Sequence, residues 1–251
     1  MLTRIDHLVI AVTDPDAAAD ELESAVGLRS TGGGRHEHLG TFNRLVWLGD
    51  TYVELAGVWD VELAKASMIG PPTLATLRIG GGLATYAVGT DDLVSDLADA
   101  RSLGANWAGP SSGERMRPDG RVVRWRQAAP PHLSVDDPPF MIEHDPTAAE
   151  WTPEERAARA TETHPLGGPV RLEVLEIPVA EVRRVANGYT RALGLRFRPS
   201  IAGRGARDAS IGSQIVRLRS GTGPAVVRLA APGVEPRSVM SLGVTWIVRS
   251  S

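Results

Sequence analysis

Two side chains set on otherwise apolar ribbons are the first candidates for chemistry. His7 lies within Arg4-Ile5-Asp6-His7-Leu8-Val9-Ile10-Ala11-Val12, and Glu54 within Thr51-Tyr52-Val53-Glu54-Leu55-Ala56. Both stretches read as strands. Alternate side chains share a face of a strand, so His7 goes with Ile5, Val9 and Ala11, and Glu54 with Tyr52 and Ala56. Where those faces look into one cavity, an imidazole and a carboxylate begin a metal site. The bland alternative for Glu54 is a salt bridge to Arg44 on the neighbouring strand, because a buried carboxylate without a partner is costly. His36 and His38 sit beside the glycine-rich run Gly32-Gly33-Gly34. They suit the mouth of a cleft as acid or base, since imidazole titrates near neutrality, and solvated loop positions are their plainer reading. Arg35 is a candidate contact for an anionic substrate. Asn43 is a candidate substrate contact too, with support of the turn into the third strand as its alternative, a reading that Thr41 shares. Trp47 is read as core.

Composition removes several function classes. The chain has 251 residues, 30 acidic against 27 basic, and a formal net charge of -3. No basic stretch is interleaved with aromatics, so nucleic acid is not an expected partner. Cysteine is absent, which excludes disulfides and thiolate ligands and leaves His, Asp, Glu and water to hold any metal. No run approaches the roughly 18 to 20 apolar residues of a membrane span, and the chain runs straight into a strand pattern without a leader-like segment. The expectation is a soluble cytoplasmic protein that takes a small molecule and no membrane.

The elements that must position these residues follow from caps and alternation. Asp14 caps, Pro15 opens and Gly27 stops a helix. Gly32 to Thr41 is too glycine-rich for a regular element and reads as a loop, with a short second strand placed near Leu28 to Thr31. Asn43 to Leu48 and Tyr52 to Val58 read as strands joined at Gly49-Asp50. The order is β-α-β-β-β, and it returns: a strand over Leu83 to Val88, a helix over Asp91 to Leu103, and strands over Arg121 to Arg126 and Pro139 to His144. A linker over 147–169 contains a capping box, Thr152-Pro153-Glu154-Glu155. A third copy follows over 170–251, with Leu172 to Val179 as strand, Glu181 to Leu193 as helix, and Gln214 to Leu218 and Ala225 to Leu229 as closing strands. A strand-like tail, Val244 to Val248, is left over. Short Gly, Asp and Pro turns between the last strands of each copy make antiparallel hairpins, which excludes a doubly wound parallel sheet. The expected fold is therefore α+β, with repeated modules over about 3–60 and 81–145 forming one curved sheet over 1–146 and a third, degenerate module C-terminal.

The copies can be compared with one another. At the place of His7 the second copy has Leu83 and the third Val174; at the place of Glu54 they have Glu143 and Arg228. Glu143 and His144 are adjacent, so only one of them can enter the interior, and spacing favours Glu143.

Paired β-α-β-β-β modules with a His in the first strand and a Glu in the fourth resemble the vicinal oxygen chelate superfamily, the group of the glyoxalases, bleomycin resistance proteins and dioxygenases. The runs Asp6-His7-Leu8-Val9, Gly34-Arg35-His36, Leu39-Gly40-Thr41, Asn43-Arg44-Leu45 and Leu48-Gly49-Asp50-Thr51-Tyr52-Val53-Glu54-Leu55 are similar to its glyoxalase-like domain family, as is Pro139-Phe140-Met141-Ile142-Glu143. The likeness covers roughly residues 3 to 146. It implies a cleft with a divalent cation held by His7, Glu54 and Glu143, the fourth place being Leu83. It also implies Lewis-acid chemistry of lyase, isomerase or dioxygenase type on adjacent oxygens of a small oxygen-rich molecule, with Glu54, Glu143 and His36 as catalytic groups and zinc, manganese, nickel or iron as the ion. The alternative on this scaffold is a metal-free small-molecule binder, which Leu83 favours. Because such modules pair, an odd third copy predicts packing against the linker or pairing across a homodimer.

Overall fold

Side-chain alternation and the caps marked above build the first repeat. The computed structural model describes residues 1–117 and 119–251. The repeat comprises β1 (Leu2–Ala11), α1 (Pro15–Val26), β2 (Gly32–His36), β3 (Thr41–Leu48) and β4 (Thr51–Val58). The Asp14 carboxylate accepts from the backbone N–H groups of Asp16 and Ala17, and Gly27 ends α1 with φ 81°, a left-handed conformation open to glycine. The glycine-rich run is a strand, not a loop. Gly33 presses its α-carbon against the backbone of Asn43 and Arg44, where a β-carbon would collide, so glycine is what allows β2 to pair with β3.

Two short helices, α2 (Val61–Ala66) and α3 (Gly70–Leu77), lead to the second repeat: β5 (Gly82–Thr90), α4 (Leu93–Ser102), β6 (Ala108–Met116), β7 (Val122–Ala129) and β8 (Phe140–His144). These eight strands form one sheet in the order β2-β3-β4-β1-β5-β8-β7-β6. It curls until its edges meet, where Arg115 of β6 donates to the Gly33 carbonyl of β2 at 3.2 Å. The linker carries α5 (Pro153–Ala160), whose Thr152 hydroxyl accepts from the Glu155 N–H, as the capping box predicts.

The rest of the chain is more than one module. It comprises β9 (Arg171–Val179), α6 (Val182–Leu193), β10 (Arg198–Pro199), β11 (Arg207–Ile211), β12 (Gln214–Ser220), β13 (Ala225–Ala231), β14 (Arg237–Ser241) and β15 (Val244–Ser250). They form a second sheet in the order β10-β11-β12-β9-β13-β15-β14. β13 is not a closing strand of the third copy. It pairs antiparallel with β9, as β5 does with β1, and parallel with β15, as β5 does with β8. It opens a fourth, incomplete repeat that lacks a helix, so the third copy finds its partner within the chain.

Helix α1 touches both sheets, and α4 packs on α6. One continuous core joins Leu8, Ile10, Leu22 and Leu55 of the first half to Leu175, Ile177, Val227 and Trp246 of the second. A polar link crosses the same interface. The Ile5 N–H donates to Gln214 Oε1 (2.6 Å), Gln214 Nε2 donates to the Thr51 hydroxyl (2.7 Å), and that hydroxyl donates to the Ile5 carbonyl (2.7 Å). All three side chains are buried. Gln214→Leu keeps the bulk but strands the Ile5 N–H, so it should cost about 2 to 4 kcal/mol of stability, read as a lower urea midpoint at unchanged slope. A midpoint within error of wild type would show that this link is dispensable.

Candidate active site

The site begins with an irregularity in β1. Ile5 pairs with Val88 and His7 with Ala87, so β1 spends two residues where β5 spends one, and Asp6 is the extra residue of a β-bulge. Simple alternation would send Asp6 and His7 to opposite faces. The bulge instead leaves both carboxylate and imidazole inside, with Asp6 fully buried and His7 3% exposed. His7 Nδ1 donates to Asp6 Oδ1 at 2.8 Å, His144 Nε2 donates to the same oxygen at 3.0 Å, and Arg4 donates to Oδ2 at 2.7 Å. Burial raises the Asp6 pKa, but His144, Arg4 and His7 more than cancel this and hold it well below the ordinary carboxylate range. An ionised carboxylate only accepts, which assigns the ring protons to His7 Nδ1 and His144 Nε2.

With Nδ1 committed, His7 turns Nε2 towards Glu54, whose Oε2 is 3.7 Å away. Glu54 is 5% exposed, and its Oε1 accepts from Asn43 Nδ2 at 2.6 Å. Asn43 is itself fixed by accepting from the Gly34 N–H at 3.0 Å. Arg44 takes no part, since it pairs with Asp16 on the outside. Tyr52 stacks on the His7 ring (4.6 Å between centroids) and Phe140 meets it edge-on at 5.3 Å. Burial, and then the nearby carboxylates of Asp6, Glu54 and Glu150, push the Tyr52 phenol well above its usual pKa, so it stays neutral. Trp47 packs with Leu45, Tyr52 and Trp151 in an interior aromatic cluster.

The second repeat contributes otherwise than its sequence suggests. Leu83 belongs to the core between the sheets, because a second register shift, between Val9 and Ile10, turns it outwards. Thr85, opposite Val9, and Ala87, opposite His7, face the interior instead. The Thr85 hydroxyl is buried and, among the described residues, has no hydrogen-bond partner. In β8 one of the adjacent pair does point inwards, but it is His144, which stacks on Trp151 at 3.7 Å. Glu143 lies on the outer face, where it pairs with Arg126 at 2.7 Å and accepts from the Leu93 N–H at the start of α4. It lines a groove of about 590 Å³ together with Arg126, Trp125 and His144, a groove whose lining includes neither His7 nor Glu54. The third-copy counterpart of Glu54 also changes: Val174 pairs with Ile215 as His7 pairs with Tyr52, and two residues further on Arg217, not Arg228, takes the place of Glu54.

Of the remaining candidates, His36 is half-buried on the inner side of β2 and shares a hydrogen bond with the Thr41 hydroxyl at 2.9 Å. Arg35 points outwards and lies over Trp59 at 3.7 Å, and His38 is exposed in the β2–β3 turn. Asp6 and Thr85 escaped the sequence reading, which weighed His144 against Glu143 and favoured Glu143. A cation held by one His and two carboxylates does not fit the donors present. His7 and Glu54 face each other, but by the same pairings Ala87 stands at the place of His7 and Ile142 at that of Glu54 in the second repeat. Among the described residues, no group of three or more His, Asp or Glu is arranged to hold a metal ion.

Two curled repeats enclosing an imidazole and a carboxylate define the vicinal oxygen chelate architecture. The family model described as a glyoxalase-like domain matches residues 5–193, and the chain belongs to that family. The crystal structure of a hypothetical protein from Staphylococcus aureus aligns over 100% of both chains with a TM-score of 0.80 at 16% identity, which shows the fold. Methylmalonyl-CoA epimerase of Streptomyces coelicolor aligns with 57% of this chain and 98% of its own at 22% identity and a TM-score of 0.42. The epimerase of Mycobacterium tuberculosis aligns with 57% and 87% at 17% identity and 0.40. Comparison with curated proteins gives no match. Among the described residues no helix is long and apolar enough to cross a membrane.

Burial lowers the pKa of His144 against the opposing pull of Asp6, and lowers that of His36 against Glu54 and together with Arg115. Both rings therefore hold protons less readily folded than unfolded, and the unfolded chain takes up more protons as pH falls through about 6.5. Stability should fall with pH from that point until the folded values are passed. His36→Gln should flatten this slope in urea unfolding between about pH 7 and 5, and an unchanged slope would remove His36 from the account.

Proposed function

We propose that the first sheet houses an enzyme site in which His7 and Glu54 transfer a proton on a small oxygen-rich molecule, at a carbon beside a carbonyl. The observation that carries this reading is the pair of facing side chains. With Nδ1–H given to Asp6, the His7 ring turns Nε2 to the interior, and Glu54 Oε2 lies 3.7 Å from it. Both reach a proton-bearing group from the same side. Asp6 positions the imidazole and stabilises its charge after it gains a proton, and Asn43 fixes Glu54. The C–H bond breaks, its proton goes to Nε2, and its electron pair moves to the carbonyl oxygen, for which the Thr85 hydroxyl is a free donor. Return of a proton from His7 Nε2 to the same carbon gives exchange, and to the neighbouring carbon gives isomerisation, with Glu54 beside it on the same side.

No step here runs through a cation, because only two strong donors face each other. The second reading, a metal-free binding protein, is favoured by the aromatic interior of Trp47, Tyr52, Phe140 and Trp151. One experiment separates the two. A panel of small α-oxo and α-hydroxy carbonyl compounds is incubated with the protein in D2O, and deuterium at the α-carbon is followed by NMR, with metal content measured on the same samples. We expect exchange with at least one compound, reduced about 100-fold or more in His7→Ala and Glu54→Gln. Binding without exchange would establish the binder. About one ion per chain, lost in both variants, would return the chemistry to a Lewis acid.

A further inference from the structure

The second sheet repeats the topology of the first with different side chains at the corresponding places. Val174 replaces His7 and Arg217 replaces Glu54, while the neighbours of His7, namely Val9 in its own strand and Ala87 opposite, become Glu176 and Arg228 by the same pairings. The floor of this sheet therefore carries Glu176 ringed by three guanidinium groups. Arg219 Nε lies 3.0 Å from Glu176 Oε1, and Arg228 and Arg217 lie 3.2 and 3.6 Å from Oε2. Arg217 is already bound by Asp208, through two hydrogen bonds of 2.8 Å each. Three guanidiniums against the two carboxylates of Glu176 and Asp208 leave one positive charge in excess.

The excess sits on Arg219 and Arg228. These two share one carboxylate, each through one of its oxygens, instead of the two-pronged pairing a guanidinium favours. Both are about a third exposed, at 29% and 33% of the side chain, whereas Arg217 and Glu176 are nearly covered at 10% each. The Arg228 Nε–H is buried and, among the described residues, has no acceptor. A donor in this state costs stability unless something accepts from it. Arg228, with its uncommitted Nε–H, and Arg219, held also by the Pro224 carbonyl at 3.1 Å, share a single carboxylate and one net charge, which suits a small oxyanion.

We infer that the inner face of the second sheet is a separate binding site, in which Arg228 and Arg219 hold the carboxylate or phosphate group of a small anionic ligand over Glu176. It is independent of the reaction assigned to the first sheet. Arg217, locked by Asp208, sets the position of Glu176, and Glu176 acts as an internal competitor that keeps the arginines in place.

Inorganic phosphate and acetate serve as probes, titrated at constant ionic strength against chloride while the Nε–Hε resonances of the arginines are followed by NMR. We expect a saturable shift of the Arg228 resonance with at least one probe; which probe saturates distinguishes a phosphate from a carboxylate ligand. Arg219→Met should weaken binding about tenfold or more, and Glu176→Gln should strengthen it by a similar factor. Far-ultraviolet circular dichroism checks that each variant folds. Shifts that match chloride, or that stay linear to high concentration in wild type and Glu176→Gln alike, would overturn the site.

Discussion

The interior of the first sheet depends on a single irregularity, the extra residue at Asp6. A regular strand cannot place a carboxylate and its neighbouring imidazole on the same side, and without that arrangement nothing fixes which nitrogen of His7 faces Glu54. A bulge displaces backbone polar groups from the ladder, and a buried N–H left alone is expensive. Gln214 and Thr51 answer this cost by taking the N–H and the carbonyl of Ile5. Gln214 belongs to β12, so the geometry of the first sheet is completed by a residue of the second. This gives the C-terminal half a physical role that does not depend on any ligand of its own: it is the wall against which the bulge is held.

The two sheets also show how little a shared topology determines about chemistry. Both have a first strand paired parallel to the fourth and antiparallel to the first strand of the next repeat. In the first, that crossing gathers Asp6, His7 and Glu54, which are covered by Tyr52, Phe140 and Trp151. In the second it gathers Glu176 and three arginines in a partly exposed setting. Covered charges interact strongly and must be matched nearly one to one, as Asp6 is by Arg4 and the histidine rings. The partly exposed heads of Arg219 and Arg228 are better screened and tolerate sharing one carboxylate. The difference in cover therefore explains why the first interior is a tight hydrogen-bonded network and the second an arginine cluster sharing one carboxylate.

Much of this was readable from residue order, and the failures have physical causes. The caps at Asp14, Gly27 and Thr152 are local signals and lie where the sequence places them. His7 and Glu54 were visible because a polar group every second residue stands out on an apolar strand. Asp6 was hidden because alternation assigns it outwards, and the bulge that reverses this is held by Gln214, more than 200 residues away in sequence. The choice between Glu143 and His144 was correctly framed as one or the other. It turned on the register of β8 against β5, which starts at Phe140 opposite Ala87 and leaves no trace in spacing. Glycines concealed β2, because low strand propensity outweighs a close approach that only tertiary contact creates. The fourth repeat went unseen since it lacks the helix that marked the other three.

His7 and Glu54 also constrain each other beyond any particular substrate. Asp6 is held well below the ordinary carboxylate range by its surrounding cations and donors and accepts from His7 Nδ1, so Nε2 is the nitrogen turned to Glu54. Thr85, on the adjoining strand, has an uncommitted hydroxyl, and His144 Nδ1 is likewise without a partner among the described residues. Buried polar atoms in this condition are few in folded proteins, and here two of them lie on strands β5 and β8, beside the site on β1. The first repeat supplies the charged groups, hydrogen-bonded and oriented apart from the buried Arg4 Nε–H, while the second supplies the uncommitted Thr85 hydroxyl and His144 Nδ1. The two halves thus differ in kind: His7 and Glu54 are fixed by partners within their own repeat, and the Thr85 hydroxyl on the adjoining strand is not.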